Sequence, residues 1–252
     1  GTAITTGDNN VAIGYQALDA NTTAANNTAV GTDALGANTT GTENVAVGKD
    51  ALLLNTTGSY NTALGGYGTL DANTTANNNT AIGAGVLTVN TTGANNTSVG
   101  AYSLDANTTG DENTAVGYAA LSSNTTADNN TAMGKSALGA NTTGDTNVAV
   151  GKDSMKSNTT GTNNTACGNR TLDANTTGAQ NVAVGDMALG ANTTANDNTA
   201  VGTNALAANT SGTTNTAVGT FSMQSATTAN FNTAVGYDAG GDITTGSSNT
   251  AL

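Results

Sequence analysis

The chain has 252 residues, and 52 Thr, 44 Ala, 38 Asn and 33 Gly make up about two thirds of it. With 9% charged and 3% aromatic residues and no Pro, His or Trp, it cannot build a broad mixed core on aromatic anchors. Five basic against 17 acidic residues leave a net charge of −12, which repels nucleic acid and anionic membrane surfaces.

The chain is one short unit copied fourteen times. An Asn-(Thr/Val)-Ala-(apolar)-Gly signature begins at Asn10 and returns every 17 residues as far as Asn249, with one 18-residue step from Asn61 to Asn79. The extra residue falls in Gly65-Gly66-Tyr67-Gly68, where glycine lets a loop absorb it. A fixed period of this kind marks a solenoid, each copy being one structural unit. With Asn10 as position 1, a typical copy reads N-T-A-V-G-x-x-A-L-x-A-N-T-T-G-x-x.

Taken in chain order within the coil, the first predicted element is a strand over positions 1–4. Position 2 alternates between Thr and Val and position 4 is always apolar (Ile13, Val30, Leu64, Met133, Cys167), so both are expected to fill a narrow core. Position 3, Ala in every full copy except Ser98, then faces outward. An outward position held this small suggests close approach of another chain, which makes Ala12, Ala29, Ala46, Ala63, Ala81, Ala115, Ala132 and Ala149 interface candidates; packing against a turn of the same coil is the equal alternative. Position 5 is Gly throughout. A second short strand is expected around the A-L-x-A-N-T-T segment, where Leu18, Leu35, Leu52, Leu70 and Leu104 hold position 9. Helix is disfavoured by this density of Gly, Asn and Thr. The predicted fold is all-β: a parallel β-solenoid of about 14 coils with two short strands each, over 1–252 as one repeat domain. Coils about 4.8 Å apart would give a rod on the order of 65–70 Å long, with like residues stacked as Asn, Thr and Leu ladders.

The strand motif resembles the N-S-V-A-I-G-type repeats in the heads of YadA-type trimeric autotransporter adhesins. The longer unit, as in Asn113-Thr114-Ala115-Val116-Gly117-Tyr118-Ala119-Ala120-Leu121 followed by Asn124-Thr125-Thr126, is similar to repeats of phage tail-fibre and bacterial surface proteins, often placed upstream of an intramolecular chaperone domain. The resemblance covers essentially the whole chain and departs from the autotransporter heads in its longer period. It implies a left-handed β-roll, a homotrimer, and an extracellular place on a virion or bacterial surface. Both ends stop within a repeat, as expected of an uncapped fragment of a longer fibre.

Candidate chemistry is sparse. Without His there is no Ser-His-Asp or Cys-His pair, and Cys167, at the apolar position 4, is expected to be a buried small hydrophobe. The carboxylates occupy variable outward positions, so an enzyme is not expected, and no cofactor is. Asp111, Asp128 and Asp145 share position 16 in successive coils; stacked carboxylates repel, and Ca²⁺ would relieve that, which makes them the candidate metal ligands. The glycine-rich calcium nonapeptide is missing, and a solvated acidic stripe is the favoured reading. Lys135, Lys152, Lys156 and Arg170 form the one basic patch, a candidate dock for an anionic glycan or a neighbouring chain, with a solvated patch again favoured. Asp19, Asp71, Asp105 and Asp173 share position 10 but never in adjacent coils. Each Asn-Thr-Thr run is formally a glycosylation sequon, which turn chemistry explains as well.

These observations fit a structural segment of a phage tail fibre or bacterial adhesin, with a cell-surface glycan or protein as receptor, no nucleic-acid partner and no membrane insertion. The alternative is an ice-binding solenoid using Thr and Asn ladders. Against it, the two Thr of N-T-T are adjacent, and the Thr of N-T-A-V is expected inside.

Overall fold

The computed structural model describes residues 5–252. The chain separates into two compact units, Gly1–Asp128 and Asn129–Leu252, and each is a parallel β-solenoid of 17-residue coils. In the first, seven three-residue strands from Val11–Ile13 to Thr114–Val116 pair in sequence order. In the second, the strands from Thr131–Met133 to Thr250–Ala251 do the same. The described residues contain no helix. Like positions stack: Thr28 over Val45, Ala29 over Ala46, Val30 over Val47. Across the 18-residue step the register is kept, with Thr62 against Thr80 and Leu64 against Ile82. The glycine-rich loop absorbs the extra residue.

Each coil contains one strand rather than the expected two. The second limb is a run of turns, because positions 7 and 9 take left-handed backbone, as at Asp33 (φ 58°) and Leu35 (φ 50°). Left-handed residues break the pleat of a strand, and their alternation lets so short a circuit close. The limb still bonds to its neighbours: Leu35 N donates to Ala51 O at 3.0 Å and Ala37 N to Leu53 O at 3.1 Å. A left-handed Leu costs about 1–2 kcal/mol of backbone preference. It is held because the turn drives the side chain to full burial.

The strand faces are the reverse of the expectation. Ala29, Ala46, Ala63, Ala81, Ala115, Ala132 and Ala149 are all buried within their own coils; only Ala12, in the first coil, is exposed. They are buried together with the small residue of position 8 and the Leu of position 9, and position 8 reaches position 3 of the next coil where Ser154 Oγ donates to Ala166 O and Ser222 Oγ to Ala234 O, so position 3 is core and cannot be an interface. Ser98 proves the contact: this one departure at position 3 is matched in the same coil by Ser103 at position 8, and their Oγ atoms lie 2.6 Å apart. Positions 2 and 4 point outward and are half-buried or exposed. Cys167 is accordingly exposed, not buried. The core is too narrow for two β-branched columns, and a small residue at positions 3 and 8 leaves room for one Leu column.

Candidate functional site

Two asparagine ladders fill the remaining interior. At position 1, Asn44 N donates to Asn27 Oδ1 at 3.0 Å and Asn61 N to Asn44 Oδ1 at 2.9 Å. At position 12, Asn55 Nδ2 donates to Asn38 Oδ1 at 3.0 Å and Asn73 Nδ2 to Asn55 Oδ1 at 2.8 Å. Both ladders converge on the position 15 carbonyl, so Gly58 O accepts from Asn55 Nδ2 at 2.9 Å and Asn44 Nδ2 at 2.8 Å. These amides are buried and use donor and acceptor alike, as buried polar groups must. The position 12 ladder ends where Ala226 replaces Asn, and there Asn209 Oδ1 takes the Gly212 N–H instead, at 3.1 Å. The asparagine of each Asn-Thr-Thr run from Asn21 to Asn192, and Asn209 of Asn-Thr-Ser, belongs to this buried ladder, which closes it to glycosylation in the folded chain.

The threonines that follow turn outward but stay tied down. Thr39 Oγ1 donates to Thr56 O and Thr159 Oγ1 to Thr176 O, each at 3.0 Å. Their adjacent partners at position 14 are exposed.

The candidate calcium ligands have a backbone role. Asp111 Oδ1 accepts the Ala94 N–H at 2.6 Å, and Asp128 Oδ1 accepts that of Asp111 at 2.7 Å. Asn77, Asn196 and Asn230 accept the same N–H in other coils. Where position 16 carries a side chain of this reach, charged or not, it can accept the backbone N–H of the coil before it. Asp145, in the second unit, is exposed at the equivalent place. Among the described residues no three acidic, Cys or His side chains gather as a metal site.

The basic patch is largely neutralised. Asp153 pairs with Lys152 at 3.2 Å and with Lys156 at 4.0 Å, and Arg170 Nε donates to Asp173 at 3.3 Å. Lys135 is exposed one coil before Lys152. Tyrosines meet in edge-on pairs where positions 6 and 7 adjoin: Tyr102 with Tyr118, and Tyr237 with Phe221, each at 5.9 Å between ring centres.

Two surface features remain. The first is the outward strand face. In each unit it presents a column of Thr and Val beside a column of Val, Ile, Leu, Met or Cys, with Ile82 38%, Met133 44% and Val235 43% exposed. No charge occurs at positions 2–4 of any coil. The exchange of Thr for Val at position 2 was the signal for this face, since a hydroxyl tolerates solvent and has no partner in a dry core. The second is a groove of about 480 Å³ beside the inserted residue, lined by Lys49, Asp50, Tyr67, Gly68, Asp71 and Thr88. Lys49 Nζ contacts Asp50 at 2.6 Å, and this partner raises the lysine pKa. Burial raises the pKa of Asp71; hydrogen bonds from its own N–H and that of Ala72 oppose the shift, and Asp50 adds to it.

No family model matches the sequence, and no curated protein matches it.

Proposed function

We propose that the chain is a structural, non-enzymatic segment of a phage tail fibre or bacterial surface adhesin, extracellular on a virion or cell, and assembled as a homotrimer. The observation that carries this reading is position 4. It faces outward, yet it is apolar in all fourteen coils, while positions 6, 7, 10, 16 and 17 vary freely and take almost all the charge. Within each unit, an outward apolar column that runs from coil to coil marks an interaction face. Copies that each carry −12 approach with less repulsion through an apolar strip free of charge. The carboxylates have structural work: Asp111 and Asp128 cap backbone N–H groups and Asp50, Asp153 and Asp173 pair with cations. Stacked chains bonded in this way give a stiff scaffold whose repeated outer residues can bind a receptor with avidity.

Cys167 lies on this face between Val150 and Val184 and is the only thiol, so it reports on cover. Its reaction with a chromogenic disulfide reagent is expected to be slow in the assembled protein and fast in a Val150→Lys, Val184→Lys variant that keeps its circular dichroism. Equal, fast reaction in both would sink the interface.

The same face supports a second reading. Outward Thr and Val at position 2, two residues from an outward apolar side chain and in register with the coils above and below, form a regular array of the kind ice binding requires. This removes one of the two objections raised from the sequence. Thermal hysteresis in a monomeric sample would favour the ice reading; its absence would eliminate it.

A further inference from the structure

The strand face has two edges: positions 16 and 17 lead into each strand, and positions 6 and 7 leave it. Charge is divided between these edges by a rule that neither the ladders nor the core requires. In sequence, every lysine at position 6 follows a carboxylate six or seven residues ahead of it: Glu43 before Lys49, Asp128 before Lys135, Asp145 before Lys152. In the first unit, Glu43 stands two residues before the strand Val45–Val47 and Lys49 two residues after it. In the second, Asp145 stands three residues before Val148–Val150 and Lys152 two after it. All four side chains are exposed. The trailing edge also carries carboxylates. Asp50 and Asp153 stand beside Lys49 and Lys152, and the other three, Asp33, Asp186 and Asp238, follow strands whose leading residues are neutral: Ala25-Asn26, Ala179-Gln180 and Asn230-Phe231.

Within one chain the edges are too far apart to pair, six or seven residues of largely extended backbone spanning on the order of 15–20 Å. Lys49 and Lys152 contact Asp50 and Asp153 instead, at 2.6 and 3.2 Å, with their side chains still 70% and 61% exposed. An ammonium has three donor hydrogens and a carboxylate accepts at both oxygens, so each can take a second partner. Between copies the edges do meet. A ring of copies about an axis parallel to the coil stack has no shift along that axis, so each coil faces its own equivalent, and the trailing edge of one strand face abuts the leading edge of the next. Lys49 then faces Glu43, and Lys152 faces Asp145. Sliding one copy by one coil sets Lys49 against Ser59 and Tyr60, and Lys152 against Thr162 and Asn163. Turning a copy end for end sets leading edge against leading edge, where carboxylates stand and no cation does.

We propose that the two edges of the strand face pair between copies of this chain, Lys49 of one with Glu43 of the next and Lys152 with Asp145, so that copies join parallel and each coil beside its equivalent. This rests on the self-association proposed above and adds the residues that set its register. Exposed ion pairs contribute little strength. The apolar columns supply the adhesion, the net repulsion between copies still sets the salt dependence, and the pairs discriminate between one arrangement and another.

The test couples the full chain with a carbodiimide, which joins amines to carboxylates in contact, and maps the links in covalent multimers by peptide mass spectrometry. Links from Glu43 to Lys49 and from Asp145 to Lys152 are expected. In parallel, Lys49→Glu, Lys152→Glu is expected to weaken association about tenfold in a light-scattering dilution series, with its circular dichroism unchanged. Adding Glu43→Lys and Asp145→Lys, which swaps the edges and returns the net charge to −12, is expected to restore association. A control of equal charge, with Asp19→Lys and Asp242→Lys in their place on the second limb, is expected not to. Multimers linked through Lys49 and Lys152 to other carboxylates, or equal recovery in the control, would overturn the pairing and leave self-association standing. A wild-type chain that gives no covalent multimer and stays at 24.3 kDa would overturn both.

Discussion

At the scale of single residues, asparagine carries the interior. Asn55 donates to Asn38 and to Gly58 O and accepts from Asn73, so Asn55→Ala leaves two amide groups of its neighbours short of a partner. At roughly 1–3 kcal/mol for each buried group so orphaned, the variant is expected to show a clearly lower urea midpoint with its native dichroism retained. A fall too small to measure would contradict the role given to the ladder. Asp71 offers a second test. Its pKa is raised in the folded chain, so the folded state holds the proton more tightly, and stability falls as pH rises from the unfolded value near 3.8 through the folded one. Asp71→Asn is expected to remove that acid-range slope and to be the more stable protein at pH 7. An unchanged slope in denaturation midpoint against pH would contradict it. The roles of Asn in stacking and of Leu at position 9 were legible in the sequence, because copies within one chain act as their own comparison. The sign of position 3 was not: small size suits a crowded core and a close interface equally, and the burial of the column, with the Ser98–Ser103 contact, separates the two.

At the scale of the coil, the period predicted a parallel solenoid but not the form of its second limb. Strand propensity describes a pleated chain, and the second limb instead takes left-handed backbone at positions 7 and 9, which Leu and Asp scarcely advertise. Glycine at position 5 was the readable part. Gly31 lies at φ 140°, and a β-carbon on it would overlap the Gly48 carbonyl of the next coil. Gly31→Ala therefore meets both a forbidden backbone region and a backbone clash. The expected loss is at least the roughly 1–3 kcal/mol of such backbone strain, read as a lower thermal midpoint. Because coils couple only to their neighbours, amide exchange should rise first in the coils beside residue 31 and least in the coils farthest from it in sequence. Uniform exchange throughout the first unit would contradict nearest-neighbour coupling. The groove at Tyr67 was half visible: the sequence located the insertion, but the unpartnered oxygen of Asp71 depends on geometry no repeat pattern encodes.

At the scale of the whole molecule, charge and apolar surface oppose each other. Three chains at −12 each repel, so association through the uncharged strand face should strengthen as salt screens the carboxylates. The surface at stake is outward Thr, Val, Ile, Leu and Met at positions 2 and 4. The most direct measurement is absolute mass by light scattering behind size exclusion, on the full chain at moderate salt and on Val150→Lys, Val184→Lys beside it. The account predicts a species near 73 kDa, three times 24.3 kDa, that the double substitution dissociates with its β-sheet dichroism intact. A folded species of 24.3 kDa at every salt concentration, with Cys167 freely reactive, would contradict it.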